Sequence, residues 1–161
     1  MTPEARKLAE MVLLRLGSDF EAASRSQQLS LEDTKQAGSA MTSRYDTFRE
    51  EAEYRTTAYG LQRQQIQTSI NMIKSLLVAN PETGKKAVAG SLVTVRMTTE
   101  TKTYLILPSG GGMELELNGK VFSTINMQAP LAKSILKTEA GDEVELVKAS
   151  CSEPGTIIEV M

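Results

Sequence analysis

Apolar residues return every three or four positions near the start of the chain and every second position towards its end. Ala9, Val12, Leu16, Phe20 and Ala23 form one stripe of an amphipathic helix. Thr2 is placed to cap it, Pro3 fits its first position, and Glu4 suits the positive end of the helix dipole. Gly17 weakens this helix by about 1 kcal/mol relative to Ala without ending it. Beyond Ser24 the stripe fades. Ser30 and Asp33 have capping-box spacing, which predicts a helical turn restarting there. Ala37, Gly38, Ser39 and Ala40 then break the pattern, so the chain reversal is expected between about Leu29 and Tyr45.

A second helix is expected over residues 47–79, with Tyr45, Ala52, Tyr59, Ile66 and Ile73 on one heptad position. The seam is narrow and polar around Arg55, Gln62, Arg63 and Ser69, and broad from Ile66 to Leu77. A narrow seam suits two helices packed on each other as a coiled coil, and a broad base suits packing on a following domain. Such a helix would be about 50 Å long, enough to project into solvent. Asn80, Pro81 and Gly84 end it.

From Gly90 the period changes to two. Residues 91–97 and 101–107 read as a hairpin, and 113–117 and 121–125 as a second one around Asn118–Gly119. Residues 129–136 read as a short helix begun by Pro130, and 143–147 and 156–160 as closing strands. The fold class is therefore α+β: an antiparallel helical hairpin over residues 1–80, a linker over 81–89, and a mainly antiparallel β domain with one short helix over 90–161.

Composition narrows the chemistry. The chain of 161 residues has no His, one Cys and a net charge of −2. That excludes His-based triads, imidazole metal sites, an intramolecular disulfide and a strongly basic nucleic-acid binder. No apolar run approaches membrane-spanning length and no secretory pattern opens the chain, so a soluble cytoplasmic protein with no membrane partner is expected. Gly110–Gly112 lacks the Lys-Ser/Thr and the helix of a phosphate-binding loop and reads as a flexible connection. Lys85 and Lys86 read as a solvated linker or as a contact for an acidic partner.

The densest chemistry is at the start of the second helix, where Asp46, Glu50, Glu51 and Glu53 fall within eight residues. Early carboxylates complement a helix N-terminus, and Thr47 with Glu50 is itself a capping box. Two exposed carboxylates without His do not make an autonomous enzyme. They can complete the shell of a Mg²⁺ ion held by a partner, because Mg²⁺ accepts one or two protein carboxylates and keeps several waters.

The segment Arg49-Glu50-Glu51-Ala52-Glu53-Tyr54 resembles the tip signature of the Gre family of bacterial transcription elongation factors, GreA and GreB: a basic residue, then Glu, Asn, Ala, Glu, Tyr. Ala129-Pro130-Leu131-Ala132-Lys133-Ser134-Ile135-Leu136 and then Gly141-Asp142-Glu143-Val144-Glu145-Leu146 resemble its C-terminal segment. The resemblance implies a coiled coil that enters the secondary channel of RNA polymerase and a C-terminal domain similar to FK506-binding proteins that docks outside. It implies two tip acids that help hold the catalytic Mg²⁺ and a water, so that the polymerase cleaves its backtracked transcript. By that resemblance the chain is not itself an enzyme. It has no cofactor of its own, takes Mg²⁺ from the polymerase active site, and meets nucleic acid only through the polymerase. The candidate residues at the shared metal are Asp46 and Glu50.

Departures from the pattern matter. Aligning Glu50 with the family Glu puts Thr47 at the family Asp position, with Asp46 one residue earlier and about 100° round a helix, so Asp46 can substitute only if the helix begins after it and loop geometry redirects its side chain. Glu51 replaces the family Asn, and Lys137 the family Gly after the short helix. The alternative function is therefore a channel-binding inhibitor that does not stimulate cleavage, or another protein-interaction module on the same fold. A prolyl isomerase, suggested by fold analogy alone, is disfavoured by the few aromatics of the C-terminal domain.

Overall fold

The computed structural model describes the backbone of all residues except 38–42, 82–83 and 148–151, and its side-chain detail excludes residues 34, 36–37, 43–49 and 52 as well. Helix α1 (Pro3–Ala37) and helix α2 (Ser43–Ala79) precede β1 (Leu92–Met97), β2 (Thr101–Leu107), β3 (Glu114–Leu117), β4 (Lys120–Asn126), α3 (Pro130–Ile135), β5 (Glu143–Val147) and β6 (Ser152–Val160). This is the expected α+β class, two long helices followed by a mainly antiparallel sheet with one short helix. The chain divides into two compact units, one of residues 15–68 and one of residues 1–14 with 69–161.

The helical unit departs from expectation in α1. α1 does not fade after Ser24 but continues unbroken to Ala37. A Cβ at Gly17 would meet nothing within 4 Å, so the chain passes that glycine as ordinary helix. Past it the buried positions are Ala23 and Ser30, and the seam becomes small and polar instead of ending. The Thr56 hydroxyl of α2 donates to Ser30 Oγ over 2.9 Å. A Cβ at Gly60 would lie 3.0 Å from Gln27 Nε2, so the end of the Gln27 side chain lies over that glycine. Small side chains and an interhelical hydrogen bond replace the apolar stripe as the packing signal. On α2 the expected heptad position holds where it can be followed: Tyr59 and Ile66 are half-buried and Ile73 is buried. Tyr45 and Ala52 lie outside the described side chains.

In the other unit the Ala5 amide donates to Thr2 Oγ1 over 3.2 Å, the expected cap of α1. Ala5, Leu8, Ala9, Val12, Ile70 and Ile73 are buried. Asn80 closes α2 in the left-handed region at φ 40°, its amide bonded to the Leu76 carbonyl at 3.0 Å. The sheet order is β3-β4-β2-β1-β6-β5, and β2 with β4 is the parallel pair in a set of otherwise antiparallel ladders. One face builds a core from Val93, Val95, Met97, Tyr104, Ile106 and Ile157 under Ala132 and Ile135 of α3. On the opposite face Leu92, Leu105 and Leu107 are fully buried, and Ser69 of α2 hydrogen-bonds Ser109 at 2.7 Å.

The β3–β4 turn is the expected one. Asn118 and Gly119 both have positive φ, 54° and 75°, as a type I′ hairpin requires. β6 starts earlier than its apolar alternation predicts, at Ser152. Pro154 and Gly155 read as strand breakers in isolation, yet Gly155 sits where a Cβ would come within 2.8 Å of Leu146 Cδ1. A register shift opposite Thr94 and Val95 leaves Ile158 out of the ladder and half-exposed, which breaks the period of two.

Candidate functional site

α2 starts at Ser43, upstream of the predicted residue 47, so the backbone of Asp46 is helical, Thr47 is not the helix cap that its spacing to Glu50 predicts, and Asp46 is not redirected by a loop. Four residues along a helix return to one side, which puts positions 46 and 50 on a common face with position 53 about 60° from position 50. The Asp46 side chain itself lies outside the described residues, as do those of Thr47 and Arg49. Glu50 is exposed. Glu51, its neighbour, is instead engaged with Arg55 Nη2 at 3.4 Å across one turn. The Glu53 carbonyl accepts the Thr57 hydroxyl at 2.9 Å. Tyr54, one turn beyond Glu50, is 78% exposed.

The segment therefore presents acidic oxygen donors and a phenol ring on helix. Hard, ionised oxygens of this kind suit a hard cation that keeps most of its water and takes the rest of its shell from elsewhere. Among the described residues no group of three or more His, Cys, Asp or Glu comes together as a metal site. No described helix is long and apolar enough to cross a membrane.

The other features singled out from sequence have structural explanations. A Cβ on Gly111 would fall 2.2 Å from the Asn126 amide nitrogen and 2.7 Å from the Ile125 carbonyl carbon. The triple-glycine loop is thus not a flexible connection: it is pressed against the backbone of β4, and the Gly112 amide donates to the Thr124 carbonyl at 2.7 Å. Lys86 pairs with Glu139 at 3.9 Å and Lys85 is exposed. Cys151 lies outside the described residues. One feature had no sequence signal, an open groove of about 620 Å³ lined by Arg96, Met97, Glu143, Glu145, Pro154 and Thr156. Its walls come from β1, β5 and β6, which only the sheet topology brings side by side.

No protein-family model matches the chain, and no curated protein does. It is similar to solved structures of Gfh1 proteins. The GreA factor homolog 1 (Gfh1) protein of Thermus thermophilus shares 13% identity over 92% of this chain and 94% of that one, with a TM-score of 0.39. A structure of the transcription factor Gfh1 shares 15% identity over 92% of each chain, with a TM-score of 0.40. Gfh1 of Thermus aquaticus shares 17% identity over 91% of each, with a TM-score of 0.39. Similarity of this degree assigns no role to any residue.

Proposed function

We propose that this chain is a Gre-like regulator of transcription elongation. It binds RNA polymerase, inserts the start of α2 into the secondary channel, and sets Glu50 and Asp46 beside the catalytic metal of the polymerase. The observation that carries the proposal is the exposed Glu50 inside the segment 49–54 that resembles the Gre tip signature, with position 46 on the same helical face. The resemblance of Ala129 to Leu136 and of Gly141 to Leu146 to the family's C-terminal segment supports it independently of the tip.

In this role the chain's own residues do little chemistry. Mg²⁺, bound in the polymerase, supplies Lewis-acid polarisation of the scissile phosphate. Glu50 and Asp46 contribute oxygen donors and orient a water for attack on phosphorus. The water oxygen bonds to phosphorus as the bond to the 3′ oxygen breaks, and the proton lost from water balances the one gained by that oxygen. The chain is then a partner in catalysis and not an enzyme, and its site of action is the cytoplasm.

The test is a transcript-cleavage assay. Purified protein should bind core polymerase and shorten the RNA in stalled, backtracked complexes, and Asp46→Ala with Glu50→Ala should abolish the shortening while binding persists. Intact cleavage by the double variant overturns the site assignment. A second reading rests on Thr47, which stands where the family has Asp. It is a channel binder that does not stimulate cleavage, and binding without cleavage by the unaltered protein would favour it.

A further inference from the structure

Tyr54 is the exposed member of a small set. Of the aromatic side chains that are described, Tyr104 and Phe122 are buried and Phe20 and Tyr59 are half-buried, whereas Tyr54 is 78% exposed. A large ring left in water on a helix face costs apolar hydration that packing recovers for the others. Among the described residues its α2 neighbours Glu50, Glu53 and Ala58 are exposed too.

The surroundings say what such a ring can receive. With Glu51 paired to Arg55, Glu50 and Glu53 leave the adjoining described surface net acidic, which disfavours phosphates that no cation bridges. What an acidic surface can accept from RNA is the face of a base, and aromatic rings bind any base by stacking. Tyr54 follows Glu50 by four residues, so the two side chains leave the helix about 5–6 Å apart. That is close to the reach from a phosphate to its own base within one nucleotide.

We infer that Tyr54 is a substrate-stacking residue: its ring holds the base of the nucleotide whose phosphate lies at the metal beside Glu50. This inference rests on the proposed function and names the part of the RNA that the tip grips. The ring fixes the unpaired end of the transcript while the carboxylates address its backbone. Because stacking tolerates any base, the grip is independent of sequence but firmer on purines.

The experiment uses the full chain, core polymerase and backtracked complexes whose transcript ends in 4-thiouridine. Near-ultraviolet light should cross-link that base to the peptide containing Tyr54. Tyr54→Ala should lower the cleavage rate about tenfold with unchanged affinity for core polymerase, as expected for loss of one stacking contact. Tyr54→Phe and Tyr54→Trp should retain it, which a lost hydroxyl or a lost packing contact would not allow. Full cleavage by Tyr54→Ala, or a cross-link elsewhere, overturns the stacking role and leaves the polymerase reading standing. Failure of the unaltered protein to bind polymerase overturns both, and binding without cleavage overturns the stacking role while favouring the non-cleaving reading.

Discussion

The Thr56 hydroxyl donates a hydrogen bond to Ser30 Oγ at 2.9 Å, joining α1 and α2 at a seam position that is only 6% exposed. Removing either partner takes this bond from the other, so the two substitutions share one loss. Ser30→Ala should therefore destabilise by about 1 kcal/mol, and Ser30→Ala with Thr56→Val should cost less than the sum of the two single changes. Urea unfolding followed by circular dichroism measures all corners of that cycle.

Glu50 and Glu51 are neighbours with different employment, since Glu51 faces Arg55 and Glu50 is exposed. An exposed pair of this kind contributes about 0.3–0.5 kcal/mol. Glu51→Gln should leave both stability and transcript cleavage within about twofold of the original. Glu50→Gln should lower cleavage by at least about tenfold at unchanged stability, as loss of a charged donor at a metal does. Equal effects from the two variants would mean that net acidity at the tip matters and the position of Glu50 does not.

Gly111 has no room for a side chain, because the Cβ would overlap backbone atoms of Ile125 and Asn126 that cannot step aside. Gly111→Ala should cost about 2–3 kcal/mol, at the upper end of overpacking changes. The loss should show in the sheet unit, as faster amide exchange along β3 and β4.

Lys137 holds φ at 71° directly after α3, a conformation that L side chains resist, and its side chain is exposed. Its amide donates to the Ala87 carbonyl at 2.8 Å, a bond that any residue can make. Lys137→Gly should thus raise stability by about 1 kcal/mol, seen as a higher thermal midpoint.

Lys102 Nζ lies 3.0 Å from Glu100 Oε1, and that hydrogen bond, aided by the carboxylate charge, holds the Lys102 ammonium above its ordinary pKa. A raised value in the folded state means that the contribution is complete below the ordinary lysine range and is lost as pH rises through the folded value. Stability near neutral pH should therefore not respond to this group. Glu100→Gln should bring the Lys102 titration, followed by carbon NMR of its ε-methylene, back towards the ordinary lysine value.

Much of the fold was legible from local chemistry. Asn118–Gly119 announced its turn, Pro130 its short helix, and Asn80 the end of α2, because each solves a backbone problem that few residues can solve. The stretch after Ser24 was not legible, since Ala23, Gln27 and Ser30 pack through size and hydrogen bonding and leave no apolar period. The start of β6 at Ser152 was not legible, because Pro154 and Gly155 obey a neighbour, Leu146, that is distant in sequence. The tip was legible as an acidic cluster. The separate engagement of Glu51 with Arg55 and the exposure of Tyr54 depend on side-chain geometry, which spacing alone does not contain.

The strand order puts β6, the last strand of the sheet, between β1 and β5. During synthesis β1 can take β2 on one side long before β6 leaves the ribosome. Between Met97 and Ser152, at about 5–20 residues per second, the ribosome works for roughly three to ten seconds. Through that interval Val93, Val95 and Met97 stand on an open edge, ready to pair with a wrong strand. The interval closes only when the Leu92 amide meets the Met161 carbonyl.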